Sequence, residues 1–326
     1  MPSTRIWRES RNAWRRAVPY YARHATVALE ARPVIVPPPR LSVVIASNNA
    51  RVSIAECLST IAAQAHEGVE IIVVDNSTDG TREIIERHDH EIRVIHASPS
   101  ALIPELWEVG IAASGGDLVA VTTAHCIPAK DWIGAICEAH RGDDAGVGGA
   151  IENHEGATLV DWAVYFCRYR QFMLPFERAV VAEIAADNAS YKRADLLACR
   201  DAWRGGFWEP AVHARLRAEG RQLIVVPEIV VYHRRSFGIG GFVVQRFRHG
   251  TEYGRDRASR LSTLTRALHV VSSPAIPILL LLRTVAAVRS RRRHGGELAR
   301  TLPLLLLFFC AWSVGEVAGY LRGPGA

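Results

Sequence analysis

From residue 41 onward the chain alternates short apolar runs with stretches of helical spacing. The runs are 42–46 (SVVIA), 70–74 (EIIVV), 91–96 (EIRVIH) and 118–121 (LVAV). Each has the length of a strand buried on both faces, and each stops at polar residues. Between them, Ile54, Leu58 and Ile61 recur at helical spacing within 52–63, and 81–85, 102–113 and 131–140 also read as helices. Strands alternating with helices predict an α/β fold with a mostly parallel, doubly wound sheet. Its binding crevice opens at the carboxyl ends of the strands. The polar clusters at those ends are Ser47-Asn48-Asn49, Asp75-Asn76-Ser77 and Thr122-Thr123-Ala124-His125. Past Arg141 the pattern loosens. Residues 146–151 (GVGGAI), 223–226 and 229–232 read as strands, 161–173 is aromatic-rich, and 212–219 is helical.

The carboxyl-terminal part follows a different rule. Residues 267–288 are apolar but carry Pro274, Pro277 and Arg283, so a span, a re-entrant segment and an interfacial helix all fit. Residues 302–321 form a twenty-residue apolar run broken only by Glu316, long enough to cross a bilayer as a transmembrane helix. Glu316 would then need a partner or a polar cavity. Three regions result: a basic arm and Pro-rich linker (1–40), a folded domain (41–255) and a membrane-associated region (256–326).

With 49% hydrophobic and 22% charged residues, a 326-residue chain can build a sizeable core. Thirty-nine basic against 33 acidic residues give +6. The excess sits at the ends: residues 1–40 hold eight Arg and two Glu, and 234–300 is again Arg-rich. Such blocks suit anionic lipid or an anionic substrate. Nucleic acid is not expected, because no zinc-finger or RRM signature is present. Residues 1–32 alternate Arg with Trp7, Trp14, Tyr20 and Tyr21, which fits an interfacial helix or a loose basic arm equally. None of the six cysteines forms a CxxC pair, and no apolar leader precedes the domain, so a cytosolic body is expected.

The order of these features resembles the family 2 glycosyltransferases, which have the GT-A fold. The resemblance covers roughly residues 41–250. SVVIASNNARVSIAECLSTIAAQ is similar to that family's opening strand, turn and helix, and EIIVVDNSTDGT to its second strand and aspartate. It implies that Asp75 contacts the nucleotide base, with Ser47 and Asn49 nearby. GGDLVAVTTAHC falls where the family carries its Asp-x-Asp metal and diphosphate motif, with Thr123 and His125 at the acidic positions. Carboxylate oxygens are hard ligands for Mn or Mg, whereas threonine is a weak one. His233 matches a histidine that often completes the metal site, so the resemblance implies either a nitrogen-rich site of His125 and His233 or diphosphate binding by Arg and His without metal. Asn188 belongs to the stretch ahead of the acceptor loop, GGFWE makes Glu209 the general base, and QRFRH offers Arg246 and Arg248 to the donor.

The expected protein is an inverting glycosyltransferase of the inner or plasma membrane, its catalytic domain on the cytoplasmic face. It would move a sugar from a nucleotide-diphosphate donor to a lipid-linked or polysaccharide acceptor. The alternative is a catalytically silent GT-A-like module that binds nucleotide or glycan at the membrane. A nucleotidyltransferase fits less well, since SNNARVS replaces the Gly-rich basic loop it needs. Locally, each residue also has a bland reading: Asp75 as a turn residue, Glu209 as a helix N-terminal acid, His233 as a core histidine, and the two arginines as a solvated or lipid-facing basic face.

Overall fold

The computed structural model describes residues 41–322 apart from Ser236 and Arg260, so the arm and linker expected over 1–40 lie outside the described residues. The strands are β1 (Leu41–Ser47), β2 (Val69–Asp75), β3 (Arg93–His96), β4 (Leu118–Thr123), β5 (Cys126–Pro128), β6 (Gly146–Asn153), β7 (Ala179–Val181), β8 (Asn188–Lys192) and β9 (Leu223–His233). The helices are α1 (Ile54–Ala62), α2 (Thr81–Glu86), α3 (Ile103–Ala113), α4 (Trp132–Ala139), α5 (Leu159–Tyr169), α6 (Arg193–Ala198), α7 (Glu209–Ala218), α8 (Ile239–Ala258), α9 (Thr263–Ser272), α10 (Ile276–Ser290) and α11 (Gly295–Arg322).

All described strands share one sheet, ordered β3-β2-β1-β4-β8-β6-β9-β5, with β7 beside β9. The first four are parallel, as their apolar runs predict. Alternate residues of β1 feed two cores: Val43 and Ile45 pack under α1 and α4, and Val44 and Ala46 pack under α3. Beyond β4 the doubly wound expectation gives way to a mixed sheet. β8 runs antiparallel to both β4 and β6, and β5 antiparallel to β9. The sequence NASYK carries no apolar run, because β8 sits mid-sheet under small and polar side chains, so periodicity missed it. The predicted strands 223–226 and 229–232 are one strand. Its register against β6 slips between Gly149 and Ala150, which leaves Pro227, Glu228 and Ile229 outside that ladder.

The carboxyl-terminal helices pack back onto this domain. Helix α8 meets α11 through two pairs of glycines, each four apart: Gly250 and Gly254 on α8, Gly315 and Gly319 on α11. A Cβ on any of them would lie 2.1–2.3 Å from a backbone oxygen of the other helix. Backbones at this distance exchange dispersion contacts that any side chain would block. A third small core joins Ala163 and Val164 of α5 to Phe242 of α8 and Phe308 of α11. Glu316 is buried with partners of its own: the Tyr320 hydroxyl donates to it at 2.8 Å, and Arg257 of α8 lies 3.8 Å away. Thr263–Ser290 and Gly295–Arg322 are both long and apolar enough to cross a membrane, but 44% of the apolar window of the second is buried in the protein against 17% of the first. The outward faces of α9 and α10 leave Leu264, Leu268, Val271, Ile278 and Leu282 more than half exposed.

Candidate active site

Two loops build one end of the crevice. β1 and β2 stop side by side, with Ser47 opposite Asp75. The segments that follow are clasped by polar contacts: Asn48 Nδ2 donates to Asn76 Oδ1 (2.9 Å), the Asn49 amide to Ser77 Oγ (2.8 Å), and the Thr78 amide to Asn49 Oδ1 (3.0 Å). Asn49 takes φ 49°, a left-handed turn that asparagine tolerates. Its side chain is therefore committed to the loop. Asp75 is fully buried and its Oδ1 accepts from Ser77 Oγ at 2.6 Å. Its Oδ2 and the Ser47 hydroxyl have no hydrogen-bond partner. Arg82 Nε lies 3.9 Å from that Oδ2, and a carboxylate oxygen and a hydroxyl that make no hydrogen bond in a buried cleft are costly unless a ligand satisfies them.

At the end of β4, Thr123 Oγ1 donates to Asp187 Oδ1 at 3.2 Å, and the Tyr169 hydroxyl donates to Asp187 Oδ2 at 3.2 Å. His125 is buried. Its Nε2 lies 3.2 Å from the Asn48 carbonyl and its Nδ1 3.2 Å from Ser53 Oγ. A carbonyl only accepts, so the proton is on Nε2 and the neutral Nδ1 accepts from Ser53. Burial, reinforced by Arg235, pulls the His125 pKa down to about 4. His233 is held neutral for the same reasons: burial first, then Arg168, His125 and Arg235 push it well below the usual histidine range.

Glu209 opens α7, and its Oε1 accepts from the Ala186 amide at 3.3 Å, next in the chain to Asp187. The carboxylate therefore lies beside the segment that faces Thr123. Burial, with Asp187 and Glu183 nearby, raises its pKa above the ordinary glutamate value.

Three sequence-based assignments meet surroundings that the sequence did not show. Asn188 is consumed by the sheet: Trp132 Nε1 donates to its Oδ1 (2.8 Å), and its Nδ2 donates to the carbonyls of Ala150 (2.8 Å) and Ile229 (3.0 Å). Both amide hydrogens are used and the side chain is buried away from the crevice, and Gly149 leaves the room this clasp requires. Arg246 lies with its guanidinium 4.4 Å from the Trp312 ring of α11, and Arg248 is exposed on α8. The His125–His233 metal site is not supported. Their backbones adjoin, with the Arg234 amide donating to the His125 carbonyl at 2.7 Å. However, both His125 nitrogens are engaged, and among the described residues no three or more His, Cys, Asp or Glu side chains could hold an ion together. His125 and His233 by themselves do not assemble a site for a Mn or Mg ion. Asp187, Tyr169, Arg168 and Arg235 were not singled out as site residues. Asp187 had a signal, since it precedes Asn188 in a motif; the others had none.

A half-parallel α/β sheet with a polar cleft at its strand ends and a half-buried acid beside that cleft is a framework that suits a group-transfer enzyme. Residues 42–197 match the family described as "Glycosyl transferase family 2". The chain is 27% identical over 130 residues to "Glycosyltransferase GlyG" of Streptococcus pneumoniae serotype 4, a match covering 39% of this chain and 42% of that protein, under half its length. The structure of "Mannosyltransferase PcManGT from Pyrobaculum calidifontis in complex with GDP-Man and Mn2+" matches with TM-score 0.53 and 19% identity, over 89% of this chain and 90% of that one. Residues 42–197 are thus similar to a family 2 glycosyltransferase domain, and the sheet shares its fold with that mannosyltransferase.

Proposed function

We propose that the protein is an inverting glycosyltransferase that uses a nucleotide-diphosphate sugar. The observation that carries this reading is Glu209: a half-buried carboxylate with a raised pKa, tied to Ala186 beside the Thr123–Asp187 contact. An acceptor hydroxyl attacks the anomeric carbon, Glu209 takes its proton, and the bond to the diphosphate breaks with its electron pair leaving on the phosphate oxygen. One displacement needs one base, and a raised pKa brings that base nearer the acceptor oxygen's demand. Asp75 Oδ2 and the Ser47 hydroxyl supply acceptor and donor capacity to the nucleotide base.

The exposed leucines of α9 and α10 support membrane association and hence a lipid-linked or cell-surface acceptor. In this reading the catalytic domain lies on the cytoplasmic face. The GDP-mannose and Mn2+ of PcManGT motivate assays over several nucleotide-sugars with and without metal. Glu209→Gln is expected to fold and to lose about 100- to 10,000-fold in turnover; unchanged turnover removes Glu209 as the base. The silent-module reading draws on Thr123 and His125 standing where acids are usual, and any donor turnover by the wild type excludes it.

A further inference from the structure

The crevice next to Thr123 holds more positive charge than its acids offset. Arg168 ends α5 with its guanidinium 5.0 Å from the Tyr169 ring, and that ring lies 5.0 Å from His233. Arg235 follows two residues after His233, its guanidinium 5.0 Å from the Phe237 ring. Among the described residues neither arginine reaches a carboxylate at ion-pair distance. Asp187 is the nearby acid, and its two oxygens already accept from Thr123 and Tyr169. A guanidinium stacked on a ring has its face covered and its N–H edge free, which is the geometry that meets phosphate. Each arginine also adds to the field that keeps His233 neutral, and burial first, then Arg168, lowers the pKa of Arg235 itself. Two half-buried cations with a single acid, Asp187, near both leave a net positive charge in the empty protein, and that is what an anionic ligand would relieve.

We propose that Arg168 and Arg235 bind the donor diphosphate directly, supplying the positive charge that a divalent ion would otherwise bring. This rests on the transferase reading above and deepens it. When the anomeric carbon–oxygen bond breaks, its electron pair goes to the diphosphate. The two guanidiniums meet the developing charge with N–H donors already in place. No proton leaves either arginine. The misfit of the side chains around His125 to a metal then follows: the ion's role has passed to the loop after β9 and the end of α5.

The test is equilibrium binding to the full-length protein in detergent, using UDP, GDP, UMP and GMP, each in EDTA and in Mn2+. At least one nucleoside diphosphate is expected to bind more tightly than its monophosphate in EDTA, with no gain from Mn2+. Arg168→Gln and Arg235→Gln should each lose about 10- to 100-fold of that preference and leave monophosphate binding unchanged. Arg235→Gln should unfold no earlier than the wild type, because it removes a charge the empty pocket disfavours. Diphosphate binding that appears only with Mn2+, or a preference that survives both substitutions, overturns the inference while leaving the transferase reading in place. Failure of all four nucleotides to bind the wild type sinks both together.

Discussion

The glycines between α8 and α11 give a prediction whose sign depends only on tertiary contact. An ideal Cβ on Gly254 would lie 2.2 Å from the Glu316 carbonyl oxygen, and one on Gly319 2.3 Å from that of Thr251. Ordinary carbon–oxygen contact requires about 1 Å more, so Gly254→Ala with Gly319→Ala must push the helices apart. Overpacking costs roughly 1–3 kcal/mol per site, and the helix propensity of alanine returns about 1 kcal/mol each. The two sites share one interface, so their effects will not simply add. A net loss of about 2 kcal/mol is expected, lowering Tm by roughly 4–8 °C on the scale of 150–250-residue domains. The control is the same chemistry in open space: Gly240 and Gly241, also on α8, have nothing within 4 Å of where a Cβ would stand. Gly240→Ala with Gly241→Ala should leave Tm unchanged or raise it. Both double variants are followed by calorimetry in detergent, with proteolysis between α10 and α11 as a second readout. If the 254/319 pair is as stable as the control pair, α11 does not lie on α8 at this distance, and Glu316 has lost its Arg257 partner as well.

Two further outcomes follow from the site. Asn188→Ala should cost several kcal/mol, about 1–3 for each group left without its partner (Trp132 Nε1 and the carbonyls of Ala150 and Ile229), read as a fall in the urea midpoint; a change under about 0.5 kcal/mol would return Asn188 to the ligand set. His125 and His140 both have pKa values pulled from 6.5 to about 4 by burial first, so between those pH values the unfolded chain binds protons that the folded chain refuses. Stability is therefore full above pH 6.5 and falls as pH drops toward 4, by about 2 kcal/mol per histidine between 6.5 and 5. Denaturation midpoints at pH 7 and pH 5 check this, and equal or higher stability at pH 5 would contradict the buried neutral tautomers.

The sequence by itself determined the parallel half of the sheet. A run such as EIIVV has one low-energy fate, a strand buried on both faces, and the polar residues after it must face the crevice. Asp75, Thr123 and Glu209 were legible because each sits at the end of such an element or at the start of a helix. The tertiary structure decided what those residues meet. Asp187 reaches Thr123 across 64 residues of chain, Asn188 clasps Trp132 across 56, and α8 fits α11 through glycines some 65 residues apart. Periodicity reports how deeply a face is buried and says nothing of which distant side chain covers it. For the same reason Arg168 and Arg235 were indistinguishable from the chain's other arginines. Here folding sets the two charges near each other with a single acid, Asp187, close to both, and that acid already accepts from Thr123 and Tyr169.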